Sequence, residues 1–279
     1  MFGLKKRRRR RWREMPFPAA WLEILEQRVP YYRLLSADDR RELQGHIQVF
    51  LHEKTIEGLG GLEMTDEIRV SIAAQACILL LHRETDYYPS LFSILVYPHK
   101  YFVKKTEKLP DGTVMEGYEG RLGESWHRGE VVLSWDDVKK GAVDVHDGNN
   151  VVFHEFAHQL DGESGAHDGT PALPRLSMYG AWARVFTQEY KNLIDNLEHH
   201  RRTLISSYGA TNPAEFFAVV TEAFFERPLA LKRCHPDLYE QLRLFYQQDT
   251  AARLAGYHRQ QAIAAAACPE NRDEQTADG

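Results

Sequence analysis

The sequence predicts an α+β fold on three observations: strand-like segments are few and early, helical periods dominate after about residue 149, and strands and helices do not alternate regularly. Ser36 with Asp39 opens the first strong helical pattern, whose Leu43, Ile47 and Phe50 share one face. Thr65 opens a second. There Ile68, Ile72 and Ala76 line one side and Val70 and Ala73 are apolar too, a breadth that marks a core helix. Residues 93–98 (SILVYP) read as a buried strand, and Pro110-Asp111-Gly112 between two polar-apolar segments signals a hairpin. Residues 130–135 (EVVLSW) form another short strand. Helices are then expected at 149–160, 181–202, 213–226 and 236–247.

Of the 279 residues, 43% are hydrophobic and 27% charged, which suits a packed core under a charged surface. The net charge of −5 conceals an asymmetry: residues 1–13 carry eight basic side chains and no acid, so the remainder is distinctly acidic. Nucleic-acid binders spread basic charge over the folded surface, which argues against that class except through the arginine run. Like charges repel and the run has little to bury, so residues 1–15 are expected to be a disordered basic tail, either solubilising or touching acidic lipid or nucleic acid. Residues 259–279 end in CPENRDEQTADG, lack apolar periodicity, and are expected to be a second disordered tail around one domain at 16–258. Cys77, Cys234 and Cys268 are widely spaced and make no framework. Two prolines and acidic residues follow the basic start where a secretory signal needs an apolar stretch, and no run approaches the ~20 residues of a membrane span. The expected location is cytoplasmic.

The chemically informative stretch is NNVVFHEFAHQLDG. Asn149 is a candidate N-cap and Gly162 a stop, giving a helix of about three turns. Four residues apart, His154 and His158 stack on one face, where two neutral imidazoles can both reach a zinc ion. Glu155 is rotated by about 100°, beside the ion without ligating it, as a water-activating base must be. Val151, Val152, Phe153, Phe156, Ala157 and Leu160 would bury this helix, so its polar side chains need partners. A third histidine six residues after His158 is absent, since Ser164 stands there, so a distant carboxylate is expected to complete the set. Glu215 and Glu222 compete. Seven residues apart, they share a helix face about 10 Å apart along the axis, so one of them is expected to bind. Glu215 has a rival reading as a capping-box glutamate behind Asn212 and Pro213. Asp161 reads as a group that orients a ligand or caps the helix end.

HEFAHQLD together with NPAEFFAVVTEAFF resembles the MtfA family, named for Mlc titration factor A, a group of bacterial zinc metallopeptidases whose catalytic core is similar to that of anthrax lethal factor. ILVYPHKYFV, GESWHRGEVVLSWDD, the D-x-x-N-V-V-F-H entry to the motif helix and LYEQLRLFYQQDT extend the resemblance over residues 16–255. It implies a zincin-like fold of the gluzincin type: a small mixed sheet early in the chain and a mainly helical second half carrying HExxH and the glutamate. It implies one Zn²⁺ per chain on His154, His158 and Glu215, with Glu155 as catalytic base. Glu222 would then orient a ligand histidine, and Tyr208, seven residues before Glu215, matches a tyrosine of lethal factor able to stabilise an oxyanion. The family is associated with aminopeptidase-like activity and with binding Mlc, a repressor of glucose phosphotransferase genes. The expected function is peptide hydrolysis linked to regulation of glucose uptake; sequestration of an Mlc-like transcription repressor without catalysis is the alternative. By analogy with zinc peptidases, strand 130–135 is expected to be the edge that pairs with an extended peptide substrate.

Overall fold

Side-chain caps set the starts of the helices that carry the fold. The computed structural model describes residues 2–100, 102–108, 114–120 and 129–267. It begins with α1 (Phe2–Arg13), α2 (Ala19–Arg28) and α3 (Ala37–Glu53), the last opened by Ser36, whose hydroxyl accepts from the Asp39 amide at 3.1 Å. After β1 (Thr55–Gly58) comes α4 (Asp66–Ile78), where Thr65 accepts from the Ile68 amide at 3.3 Å. Each cap satisfies an amide with no partner inside its helix, a contribution of about 0.5–2 kcal/mol. The strands β2 (Ser93–Tyr97), β3 (Phe102–Lys108), β4 (Val114–Gly120) and β5 (Glu130–Ser134) follow, and α5 (Trp135–Val143) leads into the helical half. That half comprises α6 (Val151–Gly162), α7 (Tyr179–Glu198), α8 (Pro213–Glu226), α9 (Pro228–Cys234), α10 (Pro236–Tyr246) and α11 (Thr250–Ala267).

Among the described residues the main sheet is three-stranded and parallel throughout, ordered β1-β2-β5, with Ile56 opposite Ile94 and Ile94 opposite Val131. There it differs from the expected mixed sheet. Parallel neighbours need a long crossover, and α4 supplies one between β1 and β2. The antiparallel pair β3–β4 forms a separate two-stranded sheet, and the hairpin turn expected at 110–112 lies outside the described residues. Strand β1 escaped sequence reading because its four residues bury a single side chain, Ile56. Gly129 leads into β5 at φ +74°, where an added Cβ would lie 2.7 Å from the Ser90 carbonyl oxygen. Among the described residues β5 pairs on one side only, so it is an edge strand.

Helix α8 is buried almost all round, from Ala214 to Glu226, and forms the centre of the core. Phe153 of α6 lies 5.1 Å from Phe225, and Trp182 of α7 stacks on Phe186 at 3.9 Å and meets Phe217 edge-on. Each such aromatic contributes about 1.5–3 kcal/mol by leaving water.

The N-terminal segment departs from the disorder expected for residues 1–15. As a helix it brings one face against α3, where complementary groups wait. Arg9 makes a two-pronged bond to Glu53 at 2.9 and 2.6 Å, Trp12 stacks on His52 at 4.6 Å, and Arg13 donates to the Tyr87 hydroxyl at 2.8 and 2.6 Å. The charge run is therefore partly neutralised by long-range partners that composition does not reveal. Helix α11 likewise runs past 259 to Ala267, and residues 268–279 lie outside the described residues. No helix among the described residues is long and apolar enough to cross a membrane.

Candidate metal centre

Asn150, one residue later than the expected cap, opens α6; its side-chain oxygen accepts from the Phe153 amide at 3.0 Å. Asn150 is in turn held by Gln75 and by the Gly141 carbonyl, to which its amide donates at 2.9 and 3.1 Å. Gln75 was missed in the sequence, although a glutamine amid the alanines of a core helix is itself a signal that a buried polar group has a partner. Asn212 caps α8 by accepting from the Glu215 amide at 3.0 Å, as its sequence position predicts. The Glu215 side chain does not close a capping box; it turns to the histidines.

Three donor atoms converge there. Glu215 Oε2 lies 2.9 Å from His154 Nε2 and 3.3 Å from His158 Nε2, and the two imidazole nitrogens are 3.2 Å apart. A tetrahedral ion with ~2.0–2.1 Å bonds has ligand–ligand edges of about 3.3 Å, so this triangle has the size of one face of such a polyhedron. Two imidazoles and a carboxylate also form a donor set that borderline ions such as zinc accept. The residues fit a metal ion. A second His/Asp/Glu group, Asp39, Glu42 and His82, lies on the surface, but there each ring nitrogen of His82 already faces a different carboxylate, at 3.2 Å.

Glu222 does not compete with Glu215 for the same place. It takes the other nitrogen of His154: Nδ1 lies 2.8 Å from Glu222 Oε1, while Glu222 Oε2 accepts from the Asn150 amide at 2.6 Å. One imidazole thus spans the gap between two glutamates of the same helix face. Glu155 is 4% exposed and its charge acts on His154. The His158 side chain is fully buried, whereas Tyr208 is 54% exposed with its ring 5.8 Å from that of His154. The centre is therefore open on the His154–Tyr208 side and closed behind His158.

The family model described as glucose-regulated metallo-peptidase M90 matches residues 4–247. The chain belongs to the M90 metallopeptidase family. Similar relatives include an uncharacterized Synechocystis sp. protein, 45% identical over 84% of this chain and 88% of its own length. Mlc titration factor A of Serratia proteamaculans is 34% identical over 85% of this chain and 89% of its length, and that of Klebsiella pneumoniae 32% over 86% and 89%. The expected MtfA relationship is thereby shown, and M90 membership implies a metal ion.

In this M90 chain His154, His158 and Glu215 divide their protons unequally. Burial disfavours a charged His154, but the bonds to Glu215 and Glu222 and the charges of Glu222 and Glu155 outweigh it and raise its pKa to about 10. Burial lowers His158 to about 4, despite its bond to Glu215 and helped by the charge of His154. Burial alone would raise Glu215, yet its two histidine bonds bring it down to about 2.

Asp161 of the M90 chain bonds to the following loop and not to His154, His158 or Glu215. Its Oδ2 accepts from the Gly169 amide at 2.9 Å, and Trp182 Nε1 donates to the Gly169 carbonyl at 3.2 Å. Gly169, at φ +80°, sits so close to the start of α8 that an added Cβ would lie 2.3 Å from the Pro213 carbonyl oxygen. Asp161 thus ties the end of α6 to the start of the helix bearing Glu215.

Proposed function

We propose that the chain is a zinc-dependent, aminopeptidase-like peptidase of zincin-like, gluzincin type. Residues 16–258 form its catalytic domain, in a cytoplasmic setting consistent with the free thiols of Cys77 and Cys234. The observation that carries this reading is the His154–His158–Glu215 donor triangle with Glu155 beside it on α6. In it those three residues hold one Zn²⁺, which when bound lowers the pKa of a water toward ~7 and polarises a peptide carbonyl. Glu155 takes the proton from the attacking water and passes it to the leaving amine. Tyr208 donates to the carbonyl oxygen as negative charge builds there. Glu222 fixes the tautomer and tilt of His154 from behind. The free side of β5 pairs with the extended peptide, consistent with its edge position.

The test is zinc content together with hydrolysis of a peptide panel. Glu155→Gln should retain about one zinc per chain while hydrolysis falls by roughly 10²–10⁴-fold. An unchanged rate removes Glu155 as the base, and chelator-insensitive hydrolysis removes the metal.

The relatives named Mlc titration factor A favour a second reading, in which the chain binds a transcription repressor resembling Mlc and so regulates glucose uptake. Relief of repression in cells by Glu155→Gln to the wild-type extent assigns that task to binding and not to proteolysis.

A further inference from the structure

We propose that the outer face of α1 docks the protein on an anionic lipid bilayer. The inner face of this helix is already used: Arg9 is engaged by Glu53 and Asp86, Arg13 by Tyr87, Trp12 by His52, and Lys5 by Asp86 at 2.9 Å. Those contacts fix which way the remaining cations point. At 100° per residue, Leu4, Arg7, Arg10 and Arg11 fall on the opposite side, with Lys6 and Arg8 on its flanks, and all six are exposed. Among the described residues no ion pair engages Lys6, Arg7, Arg8 or Arg11, and Arg10 has only a loose one to exposed Glu14 at 3.9 Å. A row of uncompensated like charges one turn apart weakens a helix in isolation. Here α3 holds it in place, and the charge remains available to a partner.

The partner must be polyanionic, and two features select a lipid surface over a nucleic acid. Leu4, 74% exposed, lies in line with Arg7 and Arg11, so an apolar group stands among guanidinium groups. A bilayer meets both, with phosphates for the arginines and an acyl boundary for the leucine, whereas a phosphodiester backbone offers a leucine nothing. The helix is also held against the body, Arg9 and Arg13 to α3 and Lys5 to Asp86, and so presents one outer face and not a free rod for a groove. All the basic excess is at this end and the rest of the chain is acidic, so an anionic membrane would attract α1 and repel the body, which fixes a single orientation. No apolar face is left for deep insertion, so binding is electrostatic and reversible.

Flotation of the full chain with vesicles tests this. The protein should float with phosphatidylglycerol-containing vesicles at low ionic strength, not with pure phosphatidylcholine, and should dissociate near 1 M salt, where the screening length is ~3 Å. Each basic residue removed near the surface should weaken binding about fivefold, so Arg7→Gln/Arg10→Gln/Arg11→Gln together should cost about a hundredfold with the melting temperature unchanged. Leu4→Asn should weaken vesicle binding further. Equal binding to neutral vesicles, no flotation, or undiminished flotation of the triple variant overturns the proposal. Capture of random duplex DNA by a protein that ignores vesicles overturns it in favour of nucleic acid.

Discussion

The α6–α8 and α1–α3 contacts are both built from charged side chains, yet they obey different physics. Between α6 and α8, His154, Glu215 and Glu222 are nearly withdrawn from water, so each polar atom must have a partner and the partners are the site itself. Between α1 and α3, Arg9 is shielded and doubly bonded while Arg7, Arg8 and Arg11 stay in solvent, where a charge needs nothing. Burial turns polar chemistry into geometry; exposure leaves it as composition.

The contrast can be pressed hardest at Glu222. Glu222→Gln should lower zinc affinity roughly 10–100-fold by releasing the back of His154, measured by competition with a chromogenic chelator. Affinity unchanged by this substitution would mean the buried contact does not govern the ligand.

Next is pH. With His154 raised to about 10, His158 lowered to about 4 and Glu215 lowered to about 2, the metal-free site at neutral pH carries one proton to displace, on His154. That proton competes with the ion at every pH below about 10, so apparent affinity should fall about tenfold per pH unit as pH drops. Calorimetry in buffers of different ionisation enthalpy should find one proton released per zinc near pH 6, below the ~7 at which a zinc-bound water would add its own. A value of zero contradicts the protonated His154.

Glu226 extends the comparison to stability. It is 1% exposed and its Oε2 accepts from the Gly148 amide at 3.0 Å; burial, with Asp147 and Glu222 nearby, raises its pKa to about 9. The folded state then holds a proton that the unfolded chain has lost above the ordinary value of 4.5. Its stabilisation is complete below that value and is lost as pH climbs toward about 9. Glu226→Gln should therefore gain on the wild type by up to about 1.4 kcal/mol per pH unit across that window, read from urea unfolding at two pH values. A constant difference denies the buried neutral acid.

The smallest effects lie on α1. Arg9→Ala should cost about 1–3 kcal/mol, and Arg11→Ala no more than about 0.5, by the same unfolding measurement. Equal losses would mean that α1 is not docked through Arg9.

The residues that could be read ahead of the structure were those under the buried regime. The HExxH spacing, the Asn212 cap and the two glutamates of α8 all lie on capped helices whose period fixes their facing. Their apparent rivalry arose because spacing alone does not reveal that His154 has two nitrogens to offer. The Asn150 cap was misplaced by one residue because adjacent asparagines, Asn149 and Asn150, have equal propensity and only the fold chooses between them. The parallel pairing of β1 was hidden by its brevity. The docking of α1 was hidden because its partners, Glu53 and Tyr87, are 44 and 74 residues away in sequence. Asp161 carried a signal of importance without its target, since the Gly169–Pro213 approach exists only in three dimensions.

One helix face grips a single imidazole at both ends, Glu215 at Nε2 and Glu222 at Nδ1. Any slide or roll of α8 would loosen both grips at once, so ring alignment and donor spacing cannot drift independently. The site behaves like a caliper whose jaws are machined from one bar: its opening is set by seven residues of helical rise, and Asp161, by pinning the loop against Pro213, fixes where along that bar the jaws begin.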